Sequence, residues 1–295
     1  MNPPSAADLE SSLVKVDDDL ARKNSTSSID SEFQPPPAYT DAVNGYSMSS
    51  SSSPNSFSAT SQLQIHAVGY DTNQALTGMT LENISVHRVD SGELEYISIR
   101  LKRTSNSCAL VRASDSNTKP LIATIYRWGP GRPPRMRILP SDTFASVEEA
   151  INSDSIDCEM LEVKSRSMIS RTQIMNTSFG SFEWRFGNRV ERQESYDASS
   201  LLIMERIDIN PSTHGKRGKR GIRVAQLIRN DEFRTPGTTK CMGGNGGRLM
   251  IDLSMWADDK TVSIKDVEAF VVASCICMLK READRFRDNQ IAVVV

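Results

Sequence analysis

Two short stretches place residue types at a spacing that suits binding. Pro36-Pro37-Ala38-Tyr39 sets a proline pair ahead of a tyrosine, the PPxY pattern. Prolines hold the chain in an extended polyproline II form, so little entropy is lost when it binds. A WW domain grips such prolines between aromatic rings and takes the tyrosine in a neighbouring groove. Lys216, Arg217, Lys219 and Arg220, with Arg223 close behind, form the densest basic cluster. Such a cluster suits lipid phosphates, a nuclear-import receptor or nucleic acid. Nucleic acid ranks last, because no recognised motif accompanies the charge. A solvated hairpin loop that happens to be basic is an equally good reading.

The other chemistry-bearing residues do not assemble into a catalytic pattern. Gly243-Gly244-Asn245-Gly246-Gly247 lacks the lysine and hydroxyl of a phosphate loop and precedes a strand, so it reads as a mobile turn. His66, His87 and His214 are scattered and have no cysteine or carboxylate cluster beside them, so no metal site is expected. Cys108, Cys158, Cys241, Cys275 and Cys277 are odd in number and show no CxxC spacing. They read as reduced structural residues. Neither a GxSxG elbow nor an acidic calcium loop is present. The expectation is a protein that is not an enzyme and needs no cofactor. Met1-Asn2-Pro3-Pro4-Ser5 lacks the basic-then-apolar pattern of a signal peptide, so a cytoplasmic protein is expected, membrane-peripheral and nuclear placements staying open.

The two candidate stretches sit in different surroundings. Residues 1–61 carry eight acids against three bases, and serine dominates from Asn24 onward, unbroken from Ser49 to Ser53. Such a segment cannot bury enough apolar surface to offset its ordering entropy, so a disordered tail is expected there. A short helix over Leu9 to Arg22 is the exception its spacing allows. From Gln62 the pattern changes to short alternating runs. Strands are predicted at Gln62–Ala67, Ile84–Val89, Glu93–Lys102, Ala109–Arg112, Leu121–Trp128, Arg135–Leu139, Cys158–Lys164 and Ile169–Met175. Further strands are predicted at Ser181–Phe186, Leu201–Ile209, Ile222–Ile228 and Leu249–Leu253. Tyr96-Ile97 breaks the alternation, which places a bulge there and sets Ile97, Ile99 and Leu101 on one face. Gly187-Asn188 reads as a hairpin turn, with Arg189–Gln193 running back. Ser146–Ile151 suits one or two helical turns.

The last long element governs the rest. Residues 263–288 read as a helix whose centre, Ala269 to Leu279, is apolar but for Ser274. Phe270, Val271, Val272, Ile276, Met278 and Leu279 point in every direction, so protein must surround this helix. Acids precede the centre and bases follow it, which suits the helix dipole. Its apolar part is too short to span a bilayer. Many strands and one all-round apolar helix fit together if the sheet closes into a barrel and the helix fills it. The fold expected is therefore mainly β, a roughly twelve-stranded closed barrel around a C-terminal helix, over residues 62–295. A sandwich with the helix on one face is the runner-up.

With the Tyr126-Arg127-Trp128-Gly129 turn, the Phe182-Glu183-Trp184-Arg185-Phe186 strand and the final helix, residues 62–295 resemble the tubby C-terminal-like superfamily, including its uncharacterised fungal branch. That resemblance implies a barrel of about twelve strands around a hydrophobic helix. It also implies phosphoinositide or other anionic-lipid binding through basic residues, though no family motif aligns residue by residue. Three functions stay open. The first is a binding module that docks anionic phospholipid and recruits a WW-domain protein, such as a ubiquitin ligase, through its tail. The second is a nuclear or stress-response regulator with the 216–220 cluster as import signal. The third is an enzyme with an unrecognised site.

Overall fold

The computed structural model describes residues 57–71, 82–102, 105–115, 119–127, 132–167, 170–207 and 221–294. Residues 1–56 of the expected disordered tail, with the short helix within it, lie outside these residues, while residues 57–61 are ordered. Ordered contacts are made ahead of the expected boundary at Gln62: Ser58 N–H donates to Asp252 (3.1 Å) and Thr60 N–H to the Ile251 carbonyl (2.8 Å). Among the described residues thirteen strands form one sheet. They are β1 (Ser61–His66), β2 (Ile84–Arg88), β3 (Leu94–Arg100), β4 (Cys108–Arg112), β5 (Pro120–Ile125), β6 (Arg135–Ile138) and β7 (Glu159–Glu162). The rest are β8 (Lys164–Ser165), β9 (Gln173–Thr177), β10 (Gly180–Phe186), β11 (Ser200–Arg206), β12 (Ile222–Arg229) and β13 (Arg248–Ile251). Among the described residues three α-helices accompany them: α1 (Val147–Asn152), α2 (Arg189–Glu194) and α3 (Ile264–Val294).

The strand order is β7-β6-β5-β4-β3-β2-β1-β13-β12-β11-β10-β9-β8, all neighbours antiparallel. Two runs of hairpin-connected strands thus meet where β1 pairs β13, with Leu63 opposite Leu249. The run Glu159–Ser165 draws the two ends of the sheet together: β7 pairs β6, and β8 pairs β9. Glu159 also accepts from the N–H and hydroxyl of Ser178 beyond β9, at 2.7 and 2.6 Å. The result is a nearly closed barrel, which excludes the sandwich.

The barrel closes around α3. Val267 and Ala269 through Leu279 are all buried, against inward residues such as Leu63, Ile65, Val86, Trp184, Leu202 and Leu249. Phe270 stacks at a tilt on Phe182 (5.5 Å) and Phe179 (5.9 Å). Ser274, the one polar residue of the apolar centre, accepts a hydrogen bond from the indole N–H of Trp184 (3.0 Å). That contact satisfies two buried polar groups at once. The helix starts as expected, with the Ser263 carbonyl accepting from Asp266 and Val267. It runs six residues further than the sequence reading placed its end. No basic residue therefore falls in its last turn, and the cations after Leu279 do not serve the dipole.

Three local expectations are corrected. Arg189–Gln193 does not run back as a strand; it is the helix α2. Asn188 accepts from the Glu191 N–H (3.0 Å) while the Glu191 carboxylate accepts from the Asn188 N–H (2.9 Å), a reciprocal cap. The strand that runs back beside β10 is β11, with Trp184 opposite Met204. On β3 the bulge sits at Glu95, since Val86 faces Tyr96 and His87 faces Leu94. That extra residue turns Tyr96 and Ser98 inward and leaves Ile97 and Ile99 half-buried outside. The glycine-rich stretch is no mobile turn either. Residues 243–247 are all buried. Gly244 has φ of 83°, and a side chain there would meet the Leu279 carbonyl at 2.7 Å. At Gly246 it would meet the Ile65 carbonyl at 2.0 Å. Glycine serves here for close backbone approach to the helix and to β1.

Phe270→Ala should cost about 3–5 kcal/mol of unfolding free energy, the usual cost of emptying an aromatic site in a well-packed core. Urea denaturation measures it. A loss below about 1 kcal/mol would show that the helix is not held inside the barrel.

Candidate functional site

Where α3 leaves the barrel, its polar stripe and three loops enclose a pocket of about 490 Å³. That volume is within the range of small-molecule sites. The helix supplies two rows at four-residue spacing: Arg281, Arg285 and Asn289 in one, Met278, Glu282 and Phe286 in the other. The turn before β9 supplies Arg171, β10 ends in Phe186, and the segment after β12 supplies Lys240, Cys241 and Met242. Gly243 lets that segment approach, because a Cβ there would lie 2.5 Å from the Cβ of Phe286.

The electrostatics of the pocket are one-sided. Arg171, Lys240, Arg281 and Arg285 contribute four cations, and among the described residues none of them forms a salt bridge. Arg281 donates to the Ser165 hydroxyl (3.3 Å) and Arg285 to the Ser170 carbonyl (3.2 Å), both neutral acceptors. Arg171 lies over the Phe186 ring at 5.7 Å. Burial, then repulsion from Arg281 and Arg171, holds the Arg285 guanidinium below its ordinary pKa. The one acid in the lining, Glu282, is engaged elsewhere: it takes both terminal nitrogens of Arg229, at 2.5 and 3.0 Å. Arg229 is 2% exposed, and its terminal nitrogens also donate to the Asn245 carbonyl and the Ser200 hydroxyl. Removing Glu282 from that buried cation would be costly, so it is not available to neutralise the pocket.

A second open cleft of about 470 Å³ shares Arg171 and Phe186 with this pocket and continues past Arg192 toward Ser199 and Leu201. Arg192 donates to the Ser199 carbonyl (3.2 Å), and its Nε has no partner among the described residues. Arg185 in the same cleft is bound to Glu191 (2.8 Å) and Glu205 (2.5 Å).

The residues singled out in the sequence fall elsewhere. Pro36, Pro37, Tyr39, Lys216, Arg217, Lys219 and Arg220 lie outside the described residues, as do His214 and Trp128. Arg223 is on β12, half-buried, bonded to Gln226 (2.9 Å) and paired with Glu191 (3.4 Å). Its charge is therefore already matched. Leu201–Arg206 and Ile222–Ile228 do pair across the basic loop as expected. His66 and His87, distant in sequence, meet edge-on with ring centres 4.9 Å apart. Burial and then the charge of His87 hold the His66 pKa below its usual value. Among the described residues no three His, Cys, Asp or Glu side chains converge to hold a metal. All five cysteines are free, Cys108, Cys275 and Cys277 buried and Cys241 exposed at the pocket rim. The four pocket cations were missed by the sequence reading, which gave Arg281 and Arg285 to the helix dipole. Their four-residue spacing beyond the apolar centre was the available signal. Arg171 and Lys240 gave none, because only the closed barrel brings them there.

What this arrangement can do is bind an anion. Its one thiol, Cys241, has no histidine beside it in the lining, and its one carboxylate is committed to Arg229.

Next to the pocket, burial raises the pKa of Asp284, partly offset by Arg287 and by the Asn106 side chain donating to it (2.9 Å). A carboxyl whose pKa is raised on folding makes the folded state lose stability as pH rises above the ordinary carboxylate range. Asp284→Asn should therefore raise the melting temperature at pH 7, and the gain should vanish as pH falls below that range. An equal gain at both pH values, by calorimetry, would refute the assignment.

Compared with family models, curated proteins and solved structures, the chain has no match.

Proposed function

We propose that the protein is a non-enzymatic binding module whose barrel end takes the phosphate-bearing headgroup of an anionic lipid. The observation that carries this reading is the pocket of Arg171, Lys240, Arg281 and Arg285, four cations with no free acid among them. Guanidinium groups bind phosphate by charge-assisted, often bidentate hydrogen bonds. Cations crowded together without counter-charge destabilise one another, and an arriving anion relieves that repulsion. The resemblance to tubby-like barrels points to the same ligand class. Within this reading the pocket, rather than Arg223, is the anchor point on the barrel. The 216–220 loop is a further source of positive charge.

The tail adds a second partner. Pro36, Pro37 and Tyr39 stand in a serine-rich, acidic segment suited to extending into a WW-domain groove. The protein then links an anionic lipid to a WW-domain protein, with a ubiquitin ligase as the expected kind of reader.

Arg281→Ala with Arg285→Ala should lower affinity for a soluble inositol polyphosphate at low salt by about 10-fold or more, since each lost contact to a charged group weakens binding by about that much. Isothermal calorimetry reads this, and wild-type affinity should fall as salt rises. Unchanged affinity in the double variant would remove the pocket from the reading. Separately, Tyr39→Ala should abolish WW-domain binding in fluorescence polarisation without shifting the melting temperature. A peptide covering residues 32–43 that fails to bind any WW domain would end the adaptor role.

A further inference from the structure

The helix does not stop at the basic pocket. Asn289 is the last helical residue in the pocket wall, yet α3 continues to Val294. The added turn reads Ile291-Ala292-Val293 and carries no charge. It is also uncovered: Ile291 is 45% exposed and Val293 84%. Lys280, immediately before the first pocket arginine of the helix, Arg281, is 1% exposed. Exposure therefore rises along the helix as it leaves the barrel, and the apolar residues stand furthest out.

This order, cations first and apolar side chains beyond them, matches the layering of a membrane surface. Ile291 lies six residues past Arg285, which on an α-helix is about 9 Å along the axis. An interfacial helix buries its apolar face by about 5–10 Å into the boundary between headgroups and acyl chains. With phosphates held at Arg281 and Arg285, the final turn has the reach to enter that boundary. A second copy of the chain is a poorer occupant, since joining two such ends would bring both sets of cations together.

We infer that Ile291 and Val293 form an apolar anchor that enters an anionic membrane while Arg171, Lys240, Arg281 and Arg285 hold its phosphates. The inference rests on the anionic-lipid reading above and adds the part of the protein that leaves water. Two weak signals acting together, charge and a small apolar insertion, give binding that neither gives alone. No helix among the described residues is long and apolar enough to cross a membrane, so the anchor is a surface contact.

The test uses the full chain with vesicles of phosphatidylcholine, with and without phosphatidylserine, and inositol hexakisphosphate as a soluble probe. Ile291→Ser combined with Val293→Ser should bind the soluble probe like wild type. The same variant should float with anionic vesicles about 10-fold less, the effect of returning two aliphatic side chains to water. Ile291→Trp should add a fluorescence component that acyl-brominated lipids quench in anionic vesicles and not in neutral ones. Unchanged flotation of the serine variant, with flotation lost in Arg281→Ala/Arg285→Ala, would overturn the anchor and leave the pocket standing. Neither probe binding nor flotation by wild type would overturn both. A dimer that the serine variant turns into monomer, by sedimentation, with flotation unchanged, would assign the apolar turn to self-association instead and overturn the anchor.

Discussion

The constraint on which the rest depends is the apolar circumference of α3. Val267 and Ala269 through Leu279 leave almost no surface in water, and a helix in that state must be enclosed on all sides. One sheet can do this only by curling nearly shut. The strand order follows: two antiparallel runs joined by β1 and β13, drawn together by β7 and β8. The inner faces of the strands are consequently mostly apolar, with Leu63, Ile65, Val86, Leu110, Ile122 and Leu249 all turned to the helix. Outer faces vary. Where α1 covers β4 and β5, Ala109 and Ala123 are small enough to admit it, and a separate cluster with Ala150 and Ile151 results.

Enclosure in a barrel leaves the helix polar at two ends, and the ends are treated differently. At the N-terminal end Glu268 is buried and fully matched. It accepts from Arg88 (2.6 and 3.0 Å), the Ser61 hydroxyl (2.8 Å) and the Tyr96 hydroxyl (2.8 Å). Burial, then the Glu268 charge, raises the Tyr96 pKa, so this phenol stays a donor. Matching of that kind is what a buried charge requires. At the C-terminal end the match is partial. Lys280 reaches the Asn106 carbonyl (3.0 Å) and Glu282 is spent on Arg229, while Arg281 and Arg285 meet only neutral oxygens. An end with no ligand task would be expected to resemble the other. The surplus of charge at one end is what sets it apart from the other, and the proposed binding role rests on that difference.

The fold was legible in the sequence because its main signal is one-dimensional. An apolar centre flanked by charge, preceded by short alternating runs, forces the barrel without any knowledge of which strand pairs with which. The side-chain cap at Asn188 was not read. Asn188 and Glu191 close a reciprocal cap, yet Gly187-Asn188 also suits a turn, and the shorter pattern was chosen. The glycines at 243–247 suggested looseness, whereas their use is to let Ala283 and Phe286 come close. The pocket was the least legible part. Two of its cations sit on one helix face and were visible as a spacing. Arg171 and Lys240 come from segments about seventy residues apart in sequence and are neighbours only after the sheet closes.

A barrel filled by its own helix cannot use its interior for a ligand. Small barrels that hold a guest do so because side chains leave room at the centre, and here Phe270, Trp184 and Phe182 occupy it. The surfaces left for any ligand are the outer wall and the end where the helix emerges. The outer wall of β11 to β13 is covered by residues 57–59 and by Ala198 and Phe233. The emergent end is different in kind, since the helix there must exchange an apolar surrounding for water within two turns. Side chains long enough to span that change are arginine and lysine, whose stems lie on apolar surface while their charges reach out. Arg281 and Arg285 do this beside Met278 and Phe286. The cationic pocket is thus a consequence of how the filling helix exits, with its charges left without carboxylate partners.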